Sequence, residues 1–237
     1  PATADEAFQS SSGMSLLSRR DVIKARRSSV ATPGDLIMGF DPAGETDTAD
    51  RSALIRRRTR RAFEPQAFHG KNTMQLAGLL YKIIKAEKPA RFFIDVGGIG
   101  KGIGDRLLEY DIPPGVVVPV NFGEAAIDAE VYINRRVEMY YELDNWLKDP
   151  GGANVPDTDE MQADLLATVS DDPDSNQRKR LKSKAWMRKE GIRSPDYADA
   201  LALTFALPFG SKSQTVGNSS VDYDVFEGGY DDVQIGN

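Results

Sequence analysis

Twice in this chain of 237 residues a short apolar run closes on an aspartate and is then halted by small or rigid residues. Leu36-Ile37-Met38-Gly39-Phe40 leads to Asp41 and Pro42-Ala43-Gly44, and Arg91-Phe92-Phe93-Ile94 leads to Asp95, Val96 and Gly97-Gly98. Continuous apolar runs of this length read as strands buried on both faces, the condition of strands inside a parallel sheet. Between them Leu76, Leu79, Leu80, Ile83 and Ile84 recur at helical spacing behind a cap at Asn72 or Thr73, and this helix ends before Pro89. In an open α/β sheet the carboxyl ends of neighbouring strands line the binding crevice. If the two strands are adjacent, Asp41 and Asp95 point into one site from a rigid base.

The rest of the chain extends this pattern. Ser18 caps a short helix over Arg19 to Arg27, and Pro33-Gly34-Asp35 is a turn. A second strand is expected over Arg51 to Arg60 and a third over Arg61 to Phe68, completing an antiparallel meander. A helix from Gly104 to Tyr110 follows the glycine-rich turn after Asp95, and Val116 to Val120 is a short buried strand. Helices are expected over Ile127 to Leu147, Glu160 to Val169, and from Ser194-Pro195 to Leu207, with Pro favoured in the first turn. Strands in a meander followed by helix-linked strands give an α/β fold with a mixed sheet. Residues 1–33 read as a linker, 34–210 as the folded domain, and 211–237 as a flexible acidic tail rich in Gly and Ser.

Composition narrows the chemistry. With no cysteine there is no disulfide, thiol nucleophile or thiolate metal site, and His69 is the sole histidine, read as a surface or sheet-edge residue. A metal must then be held by carboxylate oxygens, which points to Mg²⁺ or Mn²⁺. The apolar runs fall short of a membrane span, and the N-terminus lacks the pattern of a signal peptide. Opening on Pro1 without an initiator Met, the chain reads as a fragment of something longer. The net charge of −6 argues against wholesale coating of nucleic acid, yet residues 178–193 hold eight Lys and Arg against Glu190 alone.

The candidate chemistry lies in the acids. Asp196 and Asp199, three apart in Ser194-Pro195-Asp196-Tyr197-Ala198-Asp199, share a helix face. With Asp41 and Asp95 they are candidates to hold two divalent ions, which supply an activated water and charge stabilisation for phosphodiester hydrolysis. The alternative is structural: a strand-end Asp as a turn former and a helical Asp pair as dipole partners. Gly97-Gly98-Ile99-Gly100-Lys101-Gly102 is not a Walker loop, since Asp95 stands where its first Gly belongs and Gly102 where Ser or Thr belongs. It is either a turn that lets a DNA backbone approach Asp95 or a plain strand-to-helix turn. The basic run is a solvated face or, being next to the last Asp pair, a phosphate-tracking surface. Trp186 within it reads as a packing residue.

These stretches resemble the C-terminal nuclease domain of the large terminase subunits of tailed bacteriophages. Gly39-Phe40-Asp41-Pro42-Ala43-Gly44 with Asp50 resembles the family's first acidic motif, and Phe93-Ile94-Asp95-Val96-Gly97-Gly98 through Gly102 with Asp105 the second. Asn134-Arg135-Arg136 with Glu138 and Met139 resembles a stretch on the long helix, Lys182-Ser183-Lys184 through Asp199-Ala200-Leu201 the third motif, and Thr3 to Gly13 the junction leaving an ATPase domain.

The resemblance implies a ribonuclease H-like fold and metal-dependent cleavage of concatemeric double-stranded DNA during genome packaging in the host cytoplasm. It assigns Asp41, Asp95 and Asp199 as catalytic metal ligands, Asp196 as an auxiliary one, and Mg²⁺ or Mn²⁺ as a pair of ions. Lys184, with Lys182, Arg180 and Lys101, is expected to contact DNA. The implied partners are the ATPase domain of the same full-length chain, the small terminase subunit and the procapsid portal, with a monomer in isolation. The family's hairpin before the Ser-Lys stretch is longer than the polar Ser170 to Arg180 found here. A junction resolvase or recombinase of the same fold, and a non-catalytic DNA or portal docking module, are the competing readings.

Overall fold

The run at Leu36–Asp41 (β1) lies at the centre of a mixed sheet in the computed structural model, which describes residues 15–43 and 51–207. On one side β1 pairs antiparallel with β2 (Ser52–Arg58), and β2 in turn pairs antiparallel with the short strands β3 (Arg61–Ala62) and β4 (Gln66–Phe68). The single third strand expected over Arg61 to Phe68 is thus two, interrupted at Phe63-Glu64-Pro65, where Pro65 has no N–H to give a ladder. On its other side β1 pairs parallel with β5 (Arg91–Asp95), and β5 pairs parallel with β6 (Val117–Val120). Meander first and parallel strands after is the order expected from the sequence.

Strand alternation divides the core in two. Met38, Phe40, Leu54, Phe92 and Ile94 point to the face covered by α2 (Thr73–Glu87) and α3 (Gly100–Glu109), against Leu76, Leu80, Ile84, Ile103 and Leu107. Ile37, Ala53, Ile55 and Phe93 point to the opposite face, under α1 (Arg19–Arg27), α4 (Arg135–Lys148), α5 (Asp159–Ala167) and α7 (Asp196–Leu203). Helix α2 starts at Asn72, whose side chain accepts from the Gln75 N–H while Gln75 returns a bond to the Asn72 N–H, so two otherwise unpaired donors are satisfied reciprocally. Between α5 and α7 lie a hairpin of β7 (Ser170–Asp171) and β8 (Arg180–Leu181) and the short helix α6 (Lys184–Lys189).

Several expectations need correction. Residues 15–27 are not linker: Leu17, Val22 and Ala25 are buried in the core, and Ser15 bridges to Val169. The long helix begins at Arg135 rather than Ile127, because Asn134 caps it and Glu138 in its first turn accepts the Ile127 and Asp128 N–H groups at 2.9 and 3.0 Å. That carboxylate folds the preceding segment back instead of letting it continue the helix. Helix α3 starts at Gly100, four residues earlier than expected, and α7 ends at Leu203, continuing to Ala206 only as tighter i→i+3 turns. Thr3 to Gly13, Gly44, Asp50 and the tail from 211 lie outside the described residues. Among the described residues no helix is long and apolar enough to cross a membrane.

Candidate metal centre at the carboxyl edge of the sheet

In the parallel pairing of β1 with β5, Phe40 is the partner of Ile94, so the next step along both strands sets Asp41 beside Asp95. Alternation then fixes their direction. Asp41 follows Ile37 and Gly39, and Asp95 follows Phe93, so both carboxylates face the helix α7 and not α2 or α3. The third acid arrives because α7 lies unusually close to β1. A Cβ built on Gly39 would stand 2.0 Å from the Ala200 carbonyl oxygen and 3.1 Å from Leu203 Cβ. Only glycine permits that approach, and it carries Asp199, the residue before Ala200, over the strand ends.

The pocket is buried: Asp41 is 5% and Asp199 0% exposed. Burial pushes the Asp41 carboxyl well above the usual carboxylate range; Lys184 opposes this, while the charges of Asp199, Asp95 and Asp196 add to it. Burial also raises Asp95, moderated by bonds from the backbone N–H groups of Gly97 and Phe122 and by Lys184. At Asp199 burial pushes the same way, but the charges of Arg136 and Lys184 beside it, with the bond from the Tyr140 hydroxyl, outweigh it and keep the group ionised. The Lys184 Nζ lies 2.8 Å from Asp199 Oδ2, and Asp199 and Asp41 together hold that ammonium above its ordinary range. Arg136 donates from Nε and Nη2 to Asp199 Oδ1 at 3.2 and 3.0 Å, and the Tyr140 hydroxyl donates to the same oxygen at 2.7 Å.

The charges of Asp41, Asp95 and Asp199 therefore reach one another, with Lys184 paired to Asp199. Asp196 is also buried, but it is turned to Arg51, whose Nε lies 3.7 Å from its Oδ2. Arg51 also pairs with Asp164 and Glu160 and stacks 3.5 Å over the Tyr197 ring, while Arg193 and the Tyr197 N–H bind Asp164. This network ties α7 to α5 and β2. Lys182 and Arg180 lie on the hairpin, each paired with Asp171, and Lys101 pairs with Asp105 in the exposed first turn of α3. Trp186 is half-buried, with the Lys182 ammonium 5.7 Å from its ring centre, and His69 is exposed just after β4. The glycine cluster is a strand-to-helix turn: Gly98 has φ +54°, and a Cβ on Gly100 would stand 1.8 Å from the Asp95 carbonyl oxygen.

Two residues escaped the sequence reading. Tyr140 lies four positions after Arg136, on one face of α4, a spacing that was available. Gly39 sits inside a strand, where a glycine marks a close approach of backbone.

An all-oxygen donor set fits a hard divalent cation. Asp199 Oδ2 is buried and, although the Lys184 ammonium is near, has no well-aligned hydrogen bond. Buried acids repelling one another need positive charge among them. As they stand, no three carboxylates among the described residues are drawn closely enough to chelate an ion, and Lys184 and Arg136 supply the compensating charge.

The fold matches solved nuclease domains of phage large terminases. The nuclease domain of the large terminase subunit gp2 of bacterial virus Sf6 superposes with a TM-score of 0.70 at 17% identity, covering 81% of this chain and 98% of that one. A variant of that domain with manganese gives 0.67 at 17% identity over the same shares of both chains. The large terminase nuclease from thermophilic phage G20c with bound magnesium gives 0.56 at 14% identity, covering 82% and 97%. No protein-family model and no curated protein matches the sequence. At these identities the likeness is one of fold, and that fold is the ribonuclease H-like one expected from the sequence.

Proposed function

We propose that this chain is the nuclease domain of a phage large terminase subunit: a divalent-metal-dependent endonuclease that cuts double-stranded concatemeric DNA during genome packaging. The observation that carries the reading is the register that sets Asp41 beside Asp95 on the face where α7 delivers the buried Asp199. The likeness to phage nuclease domains solved with manganese or magnesium supports it.

Asp41, Asp95 and Asp199 would hold the metal, Mg²⁺ or Mn²⁺, which supplies an activated water and stabilises charge on the leaving oxygen. The chain's own residues do the rest. The sheet gives Asp41 and Asp95 a rigid base, Gly97 and Phe122 orient Asp95, and burial excludes bulk water from the acids. Asp196 adds negative charge at Asp41 while it pairs with Arg51. Lys184, Lys182, Arg180 and Lys101 would meet phosphates, with Lys184 at the start of α6 already beside Asp199. In this reading the ATPase domain of the full chain, the small subunit and the portal are partners, and the work is done in the host cytoplasm.

The test is nicking of supercoiled plasmid with Mg²⁺ or Mn²⁺. The wild type is expected to nick and then linearise the plasmid, and Asp41→Ala and Asp95→Ala to do neither. Full activity in either variant overturns the assignment.

A further inference from the structure

The Asp199 carboxylate is treated unequally at its two oxygens. Oδ1 receives three donors: the Tyr140 hydroxyl and two guanidinium N–H groups of Arg136. Oδ2 has no hydrogen-bond donor and meets only the half-exposed Lys184 ammonium, as an ion pair at 2.8 Å. An ionised carboxylate offers about two lone-pair sites on each oxygen, so three donors leave none free on Oδ1.

The donors are fixed in turn. Asn134 caps α4 by accepting the Val137 N–H at 3.0 Å, which holds the first helical turn and Arg136 within it. Arg135 pairs with Glu138 and donates to the Ala206 carbonyl, clamping α4 to the segment after α7. The Arg136 guanidinium lies 4.9 Å from the Tyr140 ring centre, and both side chains are buried or nearly so.

We infer that Arg136 and Tyr140 are positioning residues for the metal centre: by filling Oδ1 of Asp199 they leave Oδ2 as the one oxygen this carboxylate presents to a divalent ion. The inference rests on the nuclease reading above. Groups that orient a ligand in this way typically govern metal affinity by about 10- to 100-fold. A buried pair that served the fold alone would lower stability equally with and without metal and leave affinity unchanged.

Tyr140→Phe removes one donor and keeps the ring, and Arg136→Lys keeps the charge but loses the planar fork. For each, the Mn²⁺ dissociation constant is measured by calorimetry, the bound Mn²⁺ by electron paramagnetic resonance, and melting in EDTA. The expected result is a Kd raised about tenfold, an altered Mn²⁺ spectrum, and a matching shift in the Mn²⁺ concentration that half-saturates plasmid nicking. Melting in EDTA should show a single cooperative transition in both. If Tyr140→Phe fails to fold, Arg136→Lys decides the matter by the same measurements. Folded variants that bind Mn²⁺ as the wild type does, with the same spectrum, overturn the inference and leave the nuclease reading standing. A wild type that neither binds Mn²⁺ nor cuts overturns that reading itself.

Discussion

Gly39→Ala changes one hydrogen to a methyl at the point where α7 touches the sheet. The new Cβ would lie 2.0 Å from the Ala200 carbonyl oxygen, whereas ordinary contact begins at 3.4 Å. The obstacle is helix backbone, so no side chain can swing aside, and α7 must retreat by roughly an ångström. Overpacking of this kind costs about 1–3 kcal/mol. For a domain of this size each kcal/mol lowers Tm by roughly 2–4 °C, so a fall of roughly 2–12 °C is expected in calorimetry. The retreat also withdraws Asp199 from Asp41 and Asp95. A misplacement of about 1 Å at a catalytic group costs on the order of 100-fold in rate, so plasmid nicking in Mn²⁺ should fall by about that factor at temperatures where the variant stays folded. Gly78→Ala is the control. It lies in α2, a Cβ there would meet nothing within 4 Å, and alanine in a helix gains about 0.5–1 kcal/mol over glycine. Gly39→Ala with wild-type melting and wild-type nicking refutes the claim that this approach builds the site.

Asp41→Asn should abolish nicking yet melt no lower than the wild type in EDTA. A carboxyl held above its usual range burdens the folded state once ionised, so the charge of Asp41 costs stability as pH rises past the ordinary carboxylate range. The advantage of the variant should therefore shrink as pH falls back into the ordinary carboxylate range, by which point wild-type Asp41 has already taken up its proton in the folded state, as melting at a series of pH values would show. For Asp199 the sign is opposite: held below the usual range, it supports the fold above that range, and this support is lost in strong acid. Arg57→Ala should cost about 2–4 kcal/mol in urea unfolding, because the buried guanidinium, which burial lowers to about 10, donates to the Thr204 carbonyl and hydroxyl at 2.7 Å each. Its Mn²⁺ affinity should stay at the wild-type value. Lys182→Ala with Arg180→Ala should weaken binding to duplex DNA of any sequence and reduce the salt slope of log K by about 1 for each lost phosphate contact; unchanged slopes would remove the hairpin from the DNA surface.

Much of the fold was legible because local signals agreed with tertiary structure. The bounds of β1, the Ser18 and Asn72 caps and the mixed sheet follow from period, capping and Pro-Gly chemistry. The failures have a common cause, which is that distant side chains decided the outcome. Glu138 captured the backbone N–H groups of Ile127 and Asp128, so an apolar stretch that suits a helix folded back instead. Burial of Leu17, Val22 and Ala25 turned an apparent linker into part of the core. At the site, Asp41 and Asp95 were legible as strand-end acids, and Lys184 and Asp199 through the resemblance. The partition of Asp196 toward Arg51 was not, because helical spacing gives a shared face but not which partner each acid meets. Nor was the pairing of Arg136 and Tyr140 with Asp199, which joins residues about sixty positions apart.

The most direct measurement is anomalous diffraction at the manganese edge from crystals soaked in Mn²⁺. Density within bonding distance of the residue 41, 95 and 199 carboxylates, with the Lys184 ammonium displaced from Asp199, is the predicted result. Manganese absent from that pocket at saturating concentration, or bound only elsewhere on the surface, contradicts it.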